Sequence, residues 1–78
     1  MEKIYNILES IRPESDFKTS ENFIVDGLLD SFDIVSLVNE LEEAYDILVD
    51  ALDILPENFS SLEAIKALIV KSGGKVED

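Results

Sequence analysis

The sequence predicts an all-α domain, a four-helix bundle of three longer helices and one short one, with a long first loop. Apolar residues recur at three- and four-residue spacing in three separate stretches. The second and third stretches follow a capping signal, the first ends at a proline, and the third ends at a glycine pair. At 78 residues the chain has the length of one small domain. We therefore expect a single domain over residues 1–78, with a frayed tail from about residue 75.

The first helix is predicted over about residues 2–12. Its apolar stripe consists of Ile4, Ile7, Leu8 and Ile11. Arg12 suits the negative end of the helix dipole, and Pro13 ends the helix because it restricts the residue before it. Residues 13–30 then form a loop, in which Gly27 is expected to adopt a conformation that a Cβ would resist. We expect apolar side chains to hold this loop on the core: Phe17, Phe23, Ile24, Val25, Leu28 and Leu29.

The second helix is predicted from about Ser31 to Tyr45. Asp30 is its expected N-cap, and Asp33, three residues later, completes a near capping box. The buried face is predicted to consist of Ile34, Leu37, Val38, Leu41 and Tyr45. The opposite face carries Val35, Ser36, Asn39, Glu42, Glu43 and Asp46.

Residues 47–60 are ambiguous, because their apolar residues fit either a short extended piece at 47–49 or one or two helical turns. We place a short third helix within residues 50–58, where Pro56 fits its first turn or its end. The last helix is predicted to begin at a capping box of Ser60 with Glu63 and to end at the glycine pair 73–74. Its buried stripe is predicted to be Leu62, Ile65, Leu68 and Ile69.

Composition excludes several classes of function. A net charge of -12 with six basic residues argues against nucleic acid and anionic membranes as partners and favours basic patches on other proteins. The absence of cysteine and histidine excludes disulfides, thiolate zinc sites and histidine-based triads. Because neither a signal peptide nor an apolar run of roughly 18 residues is present, we expect a cytoplasmic monomer without membrane insertion.

The acidic residues between Glu40 and Glu57 lack the Asp-x-Asp-x-Asp-Gly order of a calcium loop. A solvated acidic face is the favoured interpretation, with a specific divalent-cation site as the weaker alternative. No metal site is predicted.

Ser31 lies between two aspartates at the junction of the loop and the second helix. The N–H groups and dipole of a helix start favour a phosphate there. Without histidine, and with no lysine between Lys18 and Lys66, the sequence offers no neighbour that activates Ser31 as a nucleophile. Modification of its hydroxyl by another protein and an ordinary helix-capping role are both compatible with this position.

The pattern Gly27-Leu28-Leu29-Asp30-Ser31-Phe32, followed by Asn39-Glu40-Leu41-Glu42-Glu43-Ala44-Tyr45, resembles the acyl carrier protein family over nearly the whole chain. Members carry an Asp-Ser-Leu signature, a glycine shortly before it and a Leu-Glu-Glu run after it. The resemblance implies that Ser31 carries 4'-phosphopantetheine, added from coenzyme A by a separate, magnesium-dependent transferase. Acyl groups would be carried as thioesters on the terminal thiol of this arm, in fatty acid, polyketide or related biosynthesis. The chain itself would not be an enzyme.

The resemblance further implies that the second helix meets basic patches on the transferase and on acyl-loading and acyl-processing enzymes. The candidate recognition residues are Asp30, Phe32, Asp33, Val35, Ser36, Asn39, Glu42 and Glu43. Candidates for lining an acyl cavity are Leu37, Leu41, Leu52 and Ile65.

Three features leave the cargo open. Phe32 stands where leucine is usual in the family, and Ser36 and Asn39 stand where fatty-acid members tend to show an acidic and an apolar residue. The segment 56–65 is more similar to carriers outside fatty acid synthesis, including D-alanyl carriers. An aminoacyl or peptidyl carrier is therefore an alternative. A further alternative is an acidic helical interaction domain without a prosthetic group, in which Ser31 is only a cap.

Overall fold

The computed structural model describes residues 2–76, and within them it is all-helical, with three α-helices and no strand. Helix α1 spans Glu2–Ile11, α2 spans Ser31–Tyr45 and α3 spans Leu62–Lys71. Between α2 and α3 the chain makes two 3-10 turns, Ala51–Asp53 and Pro56–Phe59. The prediction of an all-helical chain is confirmed. The last two residues of the predicted frayed tail, 77 and 78, lie outside the described range, as does Met1.

The buried side chains form one apolar cluster that draws on all three α-helices and on the segments between them. Its members are Ile4, Leu8, Phe17, Phe23, Leu29, Ile34, Leu37, Val38, Leu41, Ile47, Phe59, Ile65, Leu68 and Ile69. Each predicted helical stripe supplies part of this core, because three- and four-residue spacing places its apolar residues on one helix face. None of the helices within residues 2–76 has the length and apolar run that crossing a bilayer requires.

The long loop is held on this core as predicted, with one exception. The rings of Phe17 and Phe23 meet edge to face, with their centroids 5.1 Å apart. Gly27 adopts the left-handed φ of +73° that the sequence predicted for it. Val25 was expected to be an anchor, but 80% of it is exposed. The Asn22 side chain accepts hydrogen bonds from the N–H groups of Ile24 and Val25, and the turn so formed leaves Val25 in solvent.

Helix α1 packs antiparallel to α2. At one end of the pair, the Lys3 ammonium donates a 2.9 Å hydrogen bond to the carbonyl of Ala44. At the other end, Nη1 of Arg12 lies 2.6 Å from Oδ2 of Asp33. The start of α1 therefore lies beside the end of α2, and the residue that follows α1 lies beside the start of α2.

The short third helix expected within residues 50–58 is replaced by the two 3-10 turns. Leu55 is extended, with φ -123° and ψ 143°, because Pro56 disfavours the helical conformation at the residue before it. The first turn is tight because the Asp50 side chain accepts a hydrogen bond from the N–H of Leu52. A fourth α-helix is thus not observed within the described residues.

Helix α3 begins one residue later than predicted. Its N-cap is Ser61, whose hydroxyl accepts a 3.1 Å hydrogen bond from the N–H of Ala64. The hydroxyl of Ser60, the predicted cap, instead donates to the carbonyl of Glu57. Gly73 ends the helix with a φ of +97°, as expected for a C-terminal glycine. Val76 packs against the core, so the predicted fraying does not extend over all of residues 75–76.

Candidate functional site

Ser31 is the first residue of α2, and it is exposed. The helix start is capped by its two neighbours. The carboxylate of Asp30 accepts a 3.0 Å hydrogen bond from the N–H of Asp33, and the carboxylate of Asp33 accepts a 3.1 Å hydrogen bond from the N–H of Asp30. The predicted capping box is therefore confirmed, with aspartate in both positions. Because Asp30 is the N-cap, Ser31 does not have that role.

The carboxylate of Asp30 is held in its charged form. The hydrogen bond from the N–H of Asp33 lowers the pKa of Asp30, and the N–H of Phe32 and the charge of Arg12 lower it further. The Asp30 side chain is still 66% exposed. A negative charge therefore remains on the surface beside the Ser31 hydroxyl.

Arg12 connects the end of α1 to this capping box. Its Nη1 lies 2.6 Å from Oδ2 of Asp33, and its Nε donates a 2.8 Å hydrogen bond to Oε1 of Glu14. These contacts raise the pKa of the guanidinium. The pKa of Glu14 is lowered, first by a hydrogen bond from its own backbone N–H and then by Arg12. The Asp33 side chain is only 15% exposed.

The sequence position of Arg12 predicts its place at the negative end of the α1 dipole but not its contact with α2. The chain's only arginine follows α1, and two aspartates lie at the start of α2, at the far end of the loop that comes next. A forked guanidinium suits carboxylates, so the sequence indicated that Arg12 would pair with an acidic residue. It did not indicate which of the acidic residues Arg12 would meet.

The predicted recognition residues divide into two groups. The exposed group consists of Asp30, Phe32, Val35, Ser36, Asn39 and Glu43, with Phe32 the most exposed of its apolar members at 84%. The other two are bound within the molecule. Asp33 pairs with Arg12, and Oε2 of Glu42 accepts a 2.9 Å hydrogen bond from the N–H of Val49. Asp33 and Glu42 therefore stabilise α2 at its start and near its end.

Comparison with protein-family models, curated proteins and solved structures found no match. A functional assignment depends on the geometry around Ser31 and on the sequence pattern.

An open groove runs along the second half of α2. It is lined by Asn39, Glu42, Glu43, Asp46, Ile47, Leu48 and Ser72. Leu48 is 85% exposed and was not predicted as a surface residue. The chain turns sharply before it, since Asp46 has a left-handed φ of 54° and the N–H of Val49 is held by Glu42. Sequence carried little signal for this, because Leu48 lies between the buried Ile47 and the half-buried Val49.

The residues predicted to line an acyl cavity are only partly brought together. Leu37, Leu41 and Ile65 are buried in the core. Leu52 is 82% exposed, so its expected place in the core is wrong. The cap by Asp50 explains the difference, because it folds residues 51–53 into a turn at the surface. Within residues 2–76, no group of three or more carboxylate side chains is placed to hold a metal ion.

Proposed function

We propose that this chain is an acyl carrier protein, which bears acyl groups on a 4'-phosphopantetheine arm attached to Ser31 and delivers them to partner enzymes. The observation that carries the proposal is the division of roles at the start of α2. Asp30 and Asp33 form the capping box, and Ser31 beside them is exposed and is not the N-cap. Helix capping therefore explains Asp30 and does not require Ser31.

The residues around Ser31 suit a phosphodiester. The hydroxyl is accessible at the first position of a 15-residue helix, whose N-terminal N–H groups and dipole favour an anion. Arg12 reaches within 3.9 Å of Oδ2 of Asp30 and reduces the local excess of negative charge. When attached, the arm supplies the thiol that this cysteine-free chain lacks.

The attachment has a definite chemical balance. A bond forms between Oγ of Ser31 and the phosphorus that bears the pantetheine, and a pyrophosphate P–O bond of coenzyme A breaks. Adenosine 3',5'-bisphosphate is the leaving group, and the hydroxyl proton passes to a base on the transferase. The part of this chain is to present the hydroxyl at a rigid, capped helix start.

The fold and surface support the same proposal. The two 3-10 turns occupy the place that a short third helix has in a four-helix carrier domain. The face offered to partner enzymes consists of exposed residues at and after the start of α2: Asp30, Phe32, Val35, Ser36, Asn39 and Glu43. These partners are a magnesium-dependent phosphopantetheinyl transferase and acyl-loading and acyl-processing enzymes with basic docking patches.

Fatty acid, polyketide or related biosynthesis in the cytoplasm is the proposed setting, with the chain acting as a monomer and having no catalytic activity of its own. An aminoacyl cargo such as D-alanine is the alternative.

Incubation with coenzyme A, magnesium and a broad-specificity phosphopantetheinyl transferase tests the proposal. Mass spectrometry is expected to show the addition of one 4'-phosphopantetheine to the wild type and none to Ser31→Ala. The matched control is Ser10→Ala, which removes a hydroxyl from an exposed residue of α1, outside the proposed docking face, and should be modified like the wild type. An unmodified wild type, or equal modification of Ser31→Ala, would contradict the proposal.

A second candidate function is an acidic interaction domain with no prosthetic group. It is favoured by the exposed Leu48, which lies in a groove beside Glu43 and Asp46 and could meet a basic, apolar partner segment. On this hypothesis a partner from the native cells binds unmodified protein, and Leu48→Ser weakens that binding while Ser31→Ala does not. Binding that requires the arm would instead support the carrier.

A further inference from the structure

The two aspartates that flank Ser31 differ in their surroundings, although they share one capping box. The Asp30 side chain is 66% exposed, whereas that of Asp33 is 15% exposed. Oδ2 of Asp33 accepts two hydrogen bonds, a 3.1 Å bond from the N–H of Asp30 and a 2.6 Å bond from Nη1 of Arg12. A partner that approaches Ser31 therefore meets one accessible carboxylate and one that already has a cation.

Arg12 is well suited to hold Asp33. Arg12 directly follows α1, and its N–H donates a 3.0 Å hydrogen bond to the carbonyl of Leu8, which ties its backbone to the last turn of the helix. A second donor of the same guanidinium, Nε, binds Glu14 at 2.8 Å. Two carboxylates thus orient one planar group, which restricts its motion more than a single contact would.

We propose that Arg12 is a positioning residue of the Ser31 modification site, which acts by withdrawing Asp33 from the surface that the transferase meets. The negative charge that attracts the basic face of the transferase to Ser31 is then that of Asp30. This inference rests on the proposed function, and it concerns which of the two carboxylates the transferase contacts. It follows that Arg12 lowers the affinity of the site for a basic protein, since the Arg12–Asp33 pair has no net charge.

The physical basis is electrostatic. A basic side chain of the transferase would have to compete with Arg12 for a carboxylate that is mostly buried and already accepts two hydrogen bonds. Reaching it would require access to a shielded group and loss of the existing 2.6 Å pair, which would leave Arg12 without that partner. Asp30 is easier to reach, because its side chain is exposed and its contact with the guanidinium is longer, at 3.9 Å. Charges of this kind act mainly on encounter, and added salt screens them.

The first experiment examines the accessibility of the carboxylates and does not require the arm. Carbodiimide coupling of an amine to carboxylates, mapped by mass spectrometry, is expected to label Asp33 about fivefold more slowly than Asp30 in the wild type. In Arg12→Gln the two rates should become similar. Equal rates for Asp30 and Asp33 in the wild type would overturn the inference.

The second experiment measures KM and kcat for addition of the arm by a broad-specificity phosphopantetheinyl transferase at low ionic strength. Arg12→Gln is expected to lower KM for the carrier about two- to fivefold, with kcat unchanged, because Asp33 becomes available. The double variant Arg12→Gln with Asp33→Asn should return KM to the wild-type value. A change in kcat alone would indicate a structural role and count against the inference.

Lys71→Gln is the matched control. It removes one positive charge and breaks a 2.7 Å pair with Asp53, which lies in the first 3-10 turn and not at the start of α2. Its KM should change less than that of Arg12→Gln. Equal decreases in KM would mean that net charge alone is responsible, and would overturn the inference while leaving the proposed function intact.

A second pair of variants covers the case in which Arg12→Gln does not fold. Asp33→Asn removes the carboxylate charge that lies 2.6 Å from Arg12, leaves the guanidinium with Glu14, and should raise KM. Asp53→Asn removes the carboxylate charge paired with Lys71 and should raise KM less. No difference between these two variants would also overturn the inference. A wild-type protein that takes up no arm would remove the proposed function, and this inference with it, whatever the labelling rates.

Discussion

The ammonium group of Lys3 donates a 2.9 Å hydrogen bond to the carbonyl of Ala44 and lies 4.5 Å from the centre of the Tyr45 ring. Helix α2 has no basic residue in its own last turn, so the cation at its negative end comes from α1. Arg12 makes the corresponding contact at the other end, with Asp33. The two basic residues at the ends of α1 therefore hold α2 at both of its ends.

Replacement of Lys3 by alanine is expected to lower the free energy of unfolding by about 0.3–1 kcal/mol, because a helix end loses its cation and a carbonyl loses its donor. Thermal denaturation followed by circular dichroism measures the effect. Lys75→Ala is the control, since Lys75 is an exposed lysine and its loss changes the net charge equally. Equal effects of the two variants would show that net charge, and not the contact with α2, is responsible.

Asp30→Ala and Ser31→Ala are expected to differ in stability although they are adjacent. Loss of the N-cap should lower the melting temperature by about 4–8 °C, as expected for a small domain. Ser31→Ala should change the free energy of unfolding by no more than about 0.5 kcal/mol, since the residue is exposed and alanine suits a helix. Asp30→Asn, which keeps the capping oxygen, should fall between Asp30→Ala and the wild type. A larger loss for Ser31→Ala than for Asp30→Ala would contradict the capping assignment.

Local sequence patterns predicted the start of α2 correctly. Asp30 and Asp33 are three residues apart, and a capping box requires only side chains with acceptor oxygens at that spacing. The same reasoning misplaced the start of α3, since Ser60 and Ser61 both precede the apolar run and a pattern with a one-residue tolerance cannot separate them. A tertiary contact distinguishes the two serines, because the N–H of Phe23 in the long loop donates a hydrogen bond to the carbonyl of Ser60.

Contacts between residues that are distant in the sequence could not be predicted from local sequence patterns. Arg12 and Asp33 are 21 positions apart, and nothing in their local sequence pairs them. Leu52 was predicted to line an acyl cavity only through the resemblance to carrier proteins, and no local pattern tests that placement. Its exposure follows from the Asp50 cap and the extended Leu55, which convert a predicted helix into two turns.

The stability of the domain is expected to depend on pH in the acid range. Hydrogen bonds lower the pKa values of Glu14 and Asp30 in the folded protein. Carboxylates with a lowered folded pKa stabilise the fold above their unfolded pKa values, about 4.3 for Glu and 3.9 for Asp, and this stability is lost as pH falls through the folded values. The contribution of these two carboxylates to the free energy of unfolding should therefore decline below about pH 5, and urea denaturation of the wild type and of variants that lack one of them, between pH 7 and pH 2, measures it. The difference between the wild type and Asp30→Asn should shrink toward pH 2, and a constant difference would contradict the prediction.

Asp46 ends α2 in the left-handed conformation, with a φ of 54° and a ψ of 53°. Asp46→Gly should stabilise the domain by about 0.5–1 kcal/mol, because it removes both the left-handed strain and an anion at the negative end of the helix dipole. Asp46→Asn tests the charge alone and should give a smaller gain. If the two variants are equally stable by urea denaturation, the backbone strain contributes nothing.

The paired 3-10 turns between α2 and α3 have a consequence for local opening. Residues 50–58 form short 3-10 turns without the long runs of helical hydrogen bonds that protect amide protons, and 82% of Leu52 is exposed. Besides the packing of Ile54 against the core, the segment is held by single contacts. Two of these are the 2.7 Å hydrogen bond from Nδ2 of Asn58 to the carbonyl of Asp53 and the ion pair of that aspartate with Lys71. Its amides can therefore exchange with solvent deuterium through small openings that leave α1 and α2 folded.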